Sequence, residues 1–148
     1  MKWNSSALRN GRFSEVGRIY LVTFATHNRQ PILQHWSVVR EIVNVMRAES
    51  SVTETLAYVV MPDHVHWLIQ LDHKSLSETV QTLKSITSRR IKRLTGLAGP
   101  IWQAGFHDHA LRKDEDLIDV ARYVVLNPVR AGLVSRVGDY PYWDAKWL

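Results

Sequence analysis

The chain has 148 residues, with 19 Lys and Arg against 14 Asp and Glu, a formal net charge of +5 and no cysteine. Without thiols it can build neither a disulfide frame nor a thiolate zinc site, and no apolar run approaches the roughly 20 residues of a membrane span. A polar N-terminus, Met1-Lys2-Trp3-Asn4-Ser5-Ser6, excludes a secretory signal, so a single cytoplasmic domain over residues 1–148 is expected.

A pI near 9.7 suits a polyanionic partner such as nucleic acid. Six tryptophans supply faces that could stack on unpaired bases, although core packing accounts for them as well.

Residues 1–16 read as a polar entry segment containing Arg9 and Arg12. From Arg18 to Ala25 the residues alternate with the period of a strand. Thr26 to Pro31 reads as a loop, and 35–49 carries Val38, Val39, Ile42, Val43 and Met46 at helical spacing. Thr53 to Val60 and Val65 to Leu71 are β-rich runs parted by Met61-Pro62-Asp63, either adjacent strands or one bulged strand.

A long helix is expected over 75–95, with Ser75 as N-cap, Glu78 in the capping-box position and Gly96 as the stop. Leu76, Val80, Leu83, Ile91 and Leu94 make its apolar stripe, and Lys84, Arg89, Lys92 and Arg93 fan over the other side. Those four cations could track phosphates or could form an ordinary solvated face. Phe106 to Leu111 predicts a fourth strand, and Asp114-Glu115-Asp116 opens a last helix reaching about Leu126.

Before that last helix the order is strand, helix, strand, strand, helix, strand. It predicts an α+β, ferredoxin-like (split βαβ) antiparallel sheet with both helices on one face. The opposite face would be free to present side chains.

The side chains of interest are His64 and His66, one residue apart in Val60-Met61-Pro62-Asp63-His64-Val65-His66-Trp67. Alternation along a strand sends both imidazoles to one side, close enough to share a divalent cation. A second pair, His107-Asp108-His109, has the same spacing, and either pair alone is compatible with structural or surface histidines. In the last helix Tyr123 and Asn127 are four residues apart and share a face, which Asp119 extends by a turn. Asn127 before Pro128 also fits an N-cap followed by the first helical residue, and Tyr123 fits a half-buried aromatic with a wet hydroxyl.

Taken together, four segments resemble the REP-associated tyrosine transposases, members of the single-tyrosine, HUH-type superfamily. They are Tyr20-Leu21-Val22-Thr23 with Arg29-Gln30-Pro31; Ala57 to His66; Trp102-Gln103 with Phe106-His107-Asp108-His109; and Tyr123 to Val134. They span most of the chain in the family's order. The ending Asp139-Tyr140-Pro141-Tyr142-Trp143 is similar only in part, since the family's tryptophan-serine-serine is absent.

The resemblance implies that His64 and His66 ligate a metal, Mg2+ or Mn2+, with Asn127 as third ligand. It implies that Tyr123, on an additional C-terminal helix, is the nucleophile. Asp108 and His109 would fall in the active-site neighbourhood without an assigned role. Single-stranded or hairpin DNA would be the partner, cut through a covalent 5′-phosphotyrosine, with Arg12, Lys84, Arg89, Lys92, Arg93 and Arg130 as candidate DNA contacts. Two other functions share these residues: a hairpin-binding module that does not cut, and a metal-dependent phosphodiesterase using activated water. No obligate protein partner is evident.

Overall fold

The computed structural model of the protein describes residues 17–112 and 115–147; the entry segment with Arg9 and Arg12, and Asp114, lie outside the described residues. Five strands form one antiparallel sheet: β1 (Ile19–Ala25), β2 (Val52–Val60), β3 (His64–Leu71), β4 (His107–Ala110) and β5 (Trp143–Ala145), in the order β4-β1-β3-β2-β5. The helices are α1 (Trp36–Ala48), α2 (Leu76–Thr95), α3 (Leu117–Val125) and the short α4 (Asn127–Arg130).

The expected helix caps are present. Ser75 accepts the Glu78 backbone N–H at 3.1 Å, and Gly96 ends α2 at φ 72°, a left-handed conformation that glycine adopts without strain. At the start of α3 the side chain of Asp116 accepts the Ile118 N–H at 2.9 Å.

Alternation divides β3 between two cores. Val65, Trp67, Ile69 and Leu71 point under α1 and α2, where they join Tyr20, Val22, Phe24 and Leu83. Trp67 is fully buried there, with its indole N–H donated to Thr55 Oγ1 at 3.1 Å. His64, His66 and Leu68 leave the other side.

That other face is not free, contrary to the expectation. Helix α3 lies on it, burying Val120, Ala121, Val124 and Val125 against Leu21, Ala57, Val59 and Leu68. The reason lies in the strands, which carry apolar residues on both faces, and an apolar sheet face needs a cover. At nine residues α3 is too short to be stable alone. Burying each of its valines contributes roughly 1.5–3 kcal/mol, so packing is what holds it in place. The unforeseen β5, three residues long, pairs along Ala57–Val59 of β2 beneath this helix.

The break at Met61-Pro62-Asp63 is a hairpin tip between β2 and β3, closed by Met61 N–H to the His64 carbonyl at 2.8 Å. Two neighbouring segments pin it. Leu33 N–H donates to the Pro62 carbonyl and Thr26 N–H to the Asp63 carbonyl, both at 2.9 Å. The residue that opens β3, His64, therefore starts from a fixed backbone. Among the described residues no helix is long and apolar enough to cross a membrane.

Candidate active site

The two imidazoles meet at the hairpin end of the sheet, on the α3 face. Their ring centroids are 5.0 Å apart and the planes perpendicular. Each ring is oriented through Nδ1. His64 Nδ1 lies 2.7 Å from Asp63 Oδ1, and His66 Nδ1 lies 2.8 Å from Thr23 Oγ1 across the β1–β3 pairing. The carboxylate, which only accepts, fixes the tautomer of His64, and in both rings the anchored Nδ1 leaves Nε2 as the atom that would offer a lone pair to a ligand.

Electrostatics keep that lone pair available. Burial, with His64, Arg130 and Arg29 adding to it, pushes the pKa of His66 down to about 3. Burial also lowers that of His64, against the opposing pull of Asp63. For Asp63, burial alone would raise the pKa, but the hydrogen bond and charge of His64 together with Arg29 hold it below the usual value. At neutral pH the cluster is thus a carboxylate beside two neutral imidazoles. Among the described residues no group of three or more His, Cys, Asp and Glu is set to hold a metal. The expected donor set has only two residues of those types, with the Asn127 amide as its third member.

Tyr123 is half-buried on α3, against the cluster that includes Val59 and Leu68. Two turns later Arg130 folds back over it: the guanidinium carbon sits 4.0 Å from the ring centroid, and Nη2 donates to the Tyr123 carbonyl. The same positive charge reaches His66. Arg130, expected only as a DNA contact, therefore connects the tyrosine helix to the histidine pair.

Asn127 does not cap a helix. Leu126 occupies the N-cap position of α4 and no side-chain cap bond is made; Asn127 is the first helical residue, with Pro128 next to it. Pro128 has no N–H to continue the α3 ladder, so the helix breaks here and restarts. The amide of Asn127, partly exposed, is left to other partners.

The second histidine pair shares one face of β4, and the pleat sends the residue between them to the other. Register sets His107 opposite Thr23 and His109 opposite Leu21, on the histidine face, while Asp108 is opposite Val22. Asp108 therefore points to the α1–α2 side of the sheet, the face opposite His64 and His66. His109 is held by Glu115, its Nε2 lying 2.8 and 3.0 Å from the two carboxylate oxygens. His107 shares a cross-strand row with Thr23 and His66, and its Nδ1 is buried with no hydrogen-bond partner among the described residues.

Of the expected basic face on α2, Arg89 and Arg93 are exposed and Lys92 is half-exposed. Lys84 departs from them. It is buried, donating to the Gln103 carbonyl at 2.9 Å and to the Gly105 carbonyl. Helical spacing placed Lys84 correctly on the helix but could not reveal the 103–105 loop packed over it.

Sequence reasoning missed Thr23, Asp63 and Arg29 as site residues. Asp63 was the accessible one, being adjacent to His64; Thr23 becomes visible only once strand register is known, and the same register sets His107, already marked by its spacing to His109, in the row of Thr23 and His66.

Comparison with known proteins finds relatives along most of the chain. Two curated relatives, from Haemophilus influenzae and Escherichia coli K12, are each 29% identical, covering 85% and 88% of this chain and 78% of their own lengths; the E. coli protein is a REP-associated tyrosine transposase. A solved REP-associated tyrosine transposase bound to a REP hairpin superposes with a TM-score of 0.72 at 27% identity, over 91% of this chain and 81% of that one. The family described as Transposase IS200 like matches residues 16–127, which include the histidine pair, Tyr123 and Asn127. A match over that much of the sequence means that this chain belongs to the IS200-like transposase family.

Proposed function

We propose that the chain is a single-strand DNA endonuclease and strand transferase of the HUH type. It would act on hairpin-forming repeat DNA through a covalent bond between Tyr123 and a 5′-phosphate. One observation carries the reading: α3, which bears Tyr123 under the Arg130 guanidinium, packs on the sheet face that His64 and His66 leave. Family membership and the hairpin-bound neighbour support the same substrate class. The βαββαβ order with strands β4-β1-β3-β2 fits a split βαβ, ferredoxin-like core. A single domain working in the cytoplasm, where DNA is reached directly, suits this reading.

The residues fit a divalent metal. Nδ1 of both imidazoles is engaged, so Nε2 of His64 and His66 with the Asn127 amide would form the donor set, leaving positions open for phosphate and water. Imidazole and carbonyl donors together suit Mn2+ or Mg2+. When bound, such an ion polarises a phosphate oxygen and stabilises charge in the transition state.

The chain's own groups supply the rest. Asp63 and Thr23 hold the two rings still, and Arg130 fixes the plane of the Tyr123 ring. The Tyr123 oxygen forms a bond to phosphorus as the bond from phosphorus to the 3′-oxygen breaks. The phenol proton passes to solvent and the departing oxygen takes one up, giving a 3′-hydroxyl and a 5′-phosphotyrosine. Because the phosphodiester energy is conserved in that linkage, a second 3′-hydroxyl can reverse the step and join strands.

A labelled hairpin incubated with protein and Mn2+ and resolved on a denaturing gel tests this. A protein–DNA adduct is expected, and it should vanish in Tyr123→Phe. Cleavage that persists in Tyr123→Phe without an adduct would replace the reading with a water-using phosphodiesterase. Binding without either product would leave a hairpin-binding module.

A further inference from the structure

The segment after β1 contains the only two non-glycine residues with positive φ among the described residues, Asn28 and Arg29, both at 54°. Asparagine tolerates the left-handed region through its short polar side chain; arginine has no such compensation. Strain of this kind persists only where the surroundings over-determine it, and it concentrates at functional positions. The surroundings here do so. Thr26, fully buried, donates its hydroxyl to the Gln30 carbonyl at 2.8 Å and to the Asp63 carbonyl at 3.2 Å, and His27 N–H donates to the Ile101 carbonyl at 2.8 Å.

The turn delivers Arg29 to the histidine site. Its Nε donates to Asp63 Oδ2 at 3.0 Å, and Nη2 lies 3.5 Å from His64 Nδ1. The side chain is nevertheless 56% exposed. An ion pair that exposed contributes little to stability, so it does not by itself explain a strained backbone. A guanidinium cannot itself ligate a cation; the ligand it favours is an oxyanion. With Nε on the carboxylate and Nη2 toward His64, the outer edge of the planar guanidinium is turned to solvent, and a flat fork of this kind matches phosphate oxygens.

We propose that Arg29 is a phosphate-binding residue of the DNA site, clamped by Asp63 so that its outer edge meets a non-bridging oxygen of the phosphodiester presented to His64 and His66. This rests on the DNA-processing reading above and adds a phosphate ligand to it. Nothing in the bare sequence assigns Arg29 this part, because the left-handed turn that aims it is invisible there.

The test is hairpin binding across a salt series without divalent metal, so that nothing is cut. With its phosphate-binding guanidinium removed, Arg29→Gln should show a slope of log affinity against log salt smaller by roughly 0.7 to 1, and binding about tenfold weaker at moderate salt. A residue that merely braces Asp63 would leave the slope unchanged, and an unchanged slope overturns the proposal. Thermal melting establishes that the variant is folded. If it is not, Arg29→Lys takes its place: it keeps the charge but not the fork, so the slope should stay while the Tyr123 adduct forms at least tenfold more slowly. An Arg29→Lys protein as fast as the unsubstituted one likewise overturns the proposal.

The two readings fail separately. A slope change without any Tyr123 adduct keeps Arg29 and removes the transposase; an adduct with no slope change removes Arg29 alone. A protein that binds no DNA removes both.

Discussion

Each imidazole of the pair depends on a second side chain that holds it. Thr23 reaches His66 across 43 residues of sequence and fixes which nitrogen faces outward. Thr23→Val keeps the shape and removes the oxygen, so the His66 ring loses its anchor while the strand stays intact. Removing such a partner typically costs about 10- to 100-fold in metal affinity. The Mn2+ concentration giving half-maximal adduct should rise by that order in Thr23→Val, and an unchanged midpoint would mean that burial alone orients the ring. His64→Ala goes further and should abolish the adduct while hairpin binding survives; a folded variant that no longer binds the hairpin would show that the ring also grips DNA. At this scale the sequence was informative where chemistry is adjacent in the chain. The His-x-His spacing gave both imidazoles, whereas Thr23 needed the β1–β3 register. Asn127 read equally as cap or ligand, and that Leu126 holds the capping position became visible only in the fold.

Elements were more legible than their surroundings. Periodicity located the first four strands and α1 to α3 within a residue or two, because apolar spacing reflects which side is buried. It could not say what lies over a polar position, and Lys84 shows the cost. Its ammonium is buried on the carbonyls of Gln103 and Gly105, and burial lowers its pKa to about 8 from an ordinary 10.5. Between those values the unfolded chain holds more protons than the folded one, so this residue makes stability increase as pH rises from 8 toward 10.5. In urea titrations across that window the unsubstituted protein should gain stability relative to Lys84→Met. The variant should also be weaker at pH 7 by about 1–3 kcal/mol, since the two carbonyls lose a buried donor. Parallel pH profiles for the two proteins would contradict the buried placement and return Lys84 to the solvent-facing set with Arg89 and Arg93.

For the whole molecule, the decisive feature is that the sheet is buried on both faces by helices from different parts of the chain. The strand–helix order foretold α1 and α2 on one side. It did not foretell that α3 closes the other, because the same valines suit a helix packed on a sheet edge or on its face. Beside α3, in the same apolar cluster, the C-terminal segment is fastened to the sheet. Tyr140 donates its hydroxyl to the Val60 carbonyl at 2.6 Å, Trp143 donates its indole N–H to the Val137 carbonyl at 3.0 Å, and Lys146 N–H reaches the Leu56 carbonyl at 2.9 Å. These bonds fasten the tail along β2, one end of it beside the hairpin that opens into His64. Tyr140 is buried, and burial together with Tyr142 raises its pKa to about 12, so it remains a neutral donor through the working pH range. Tyr140→Phe removes only that hydroxyl and leaves the Val60 carbonyl without it, at a cost of about 1–3 kcal/mol. For a chain of this size that lowers the melting temperature by roughly 2–4 °C per kcal/mol. If the tail is what seats the tyrosine helix against the histidines, adduct formation in Tyr140→Phe should fall more steeply than the folded fraction on warming, with hairpin affinity following the folded fraction alone. Adduct and affinity declining together would mean that α3 keeps its seat through its own valines.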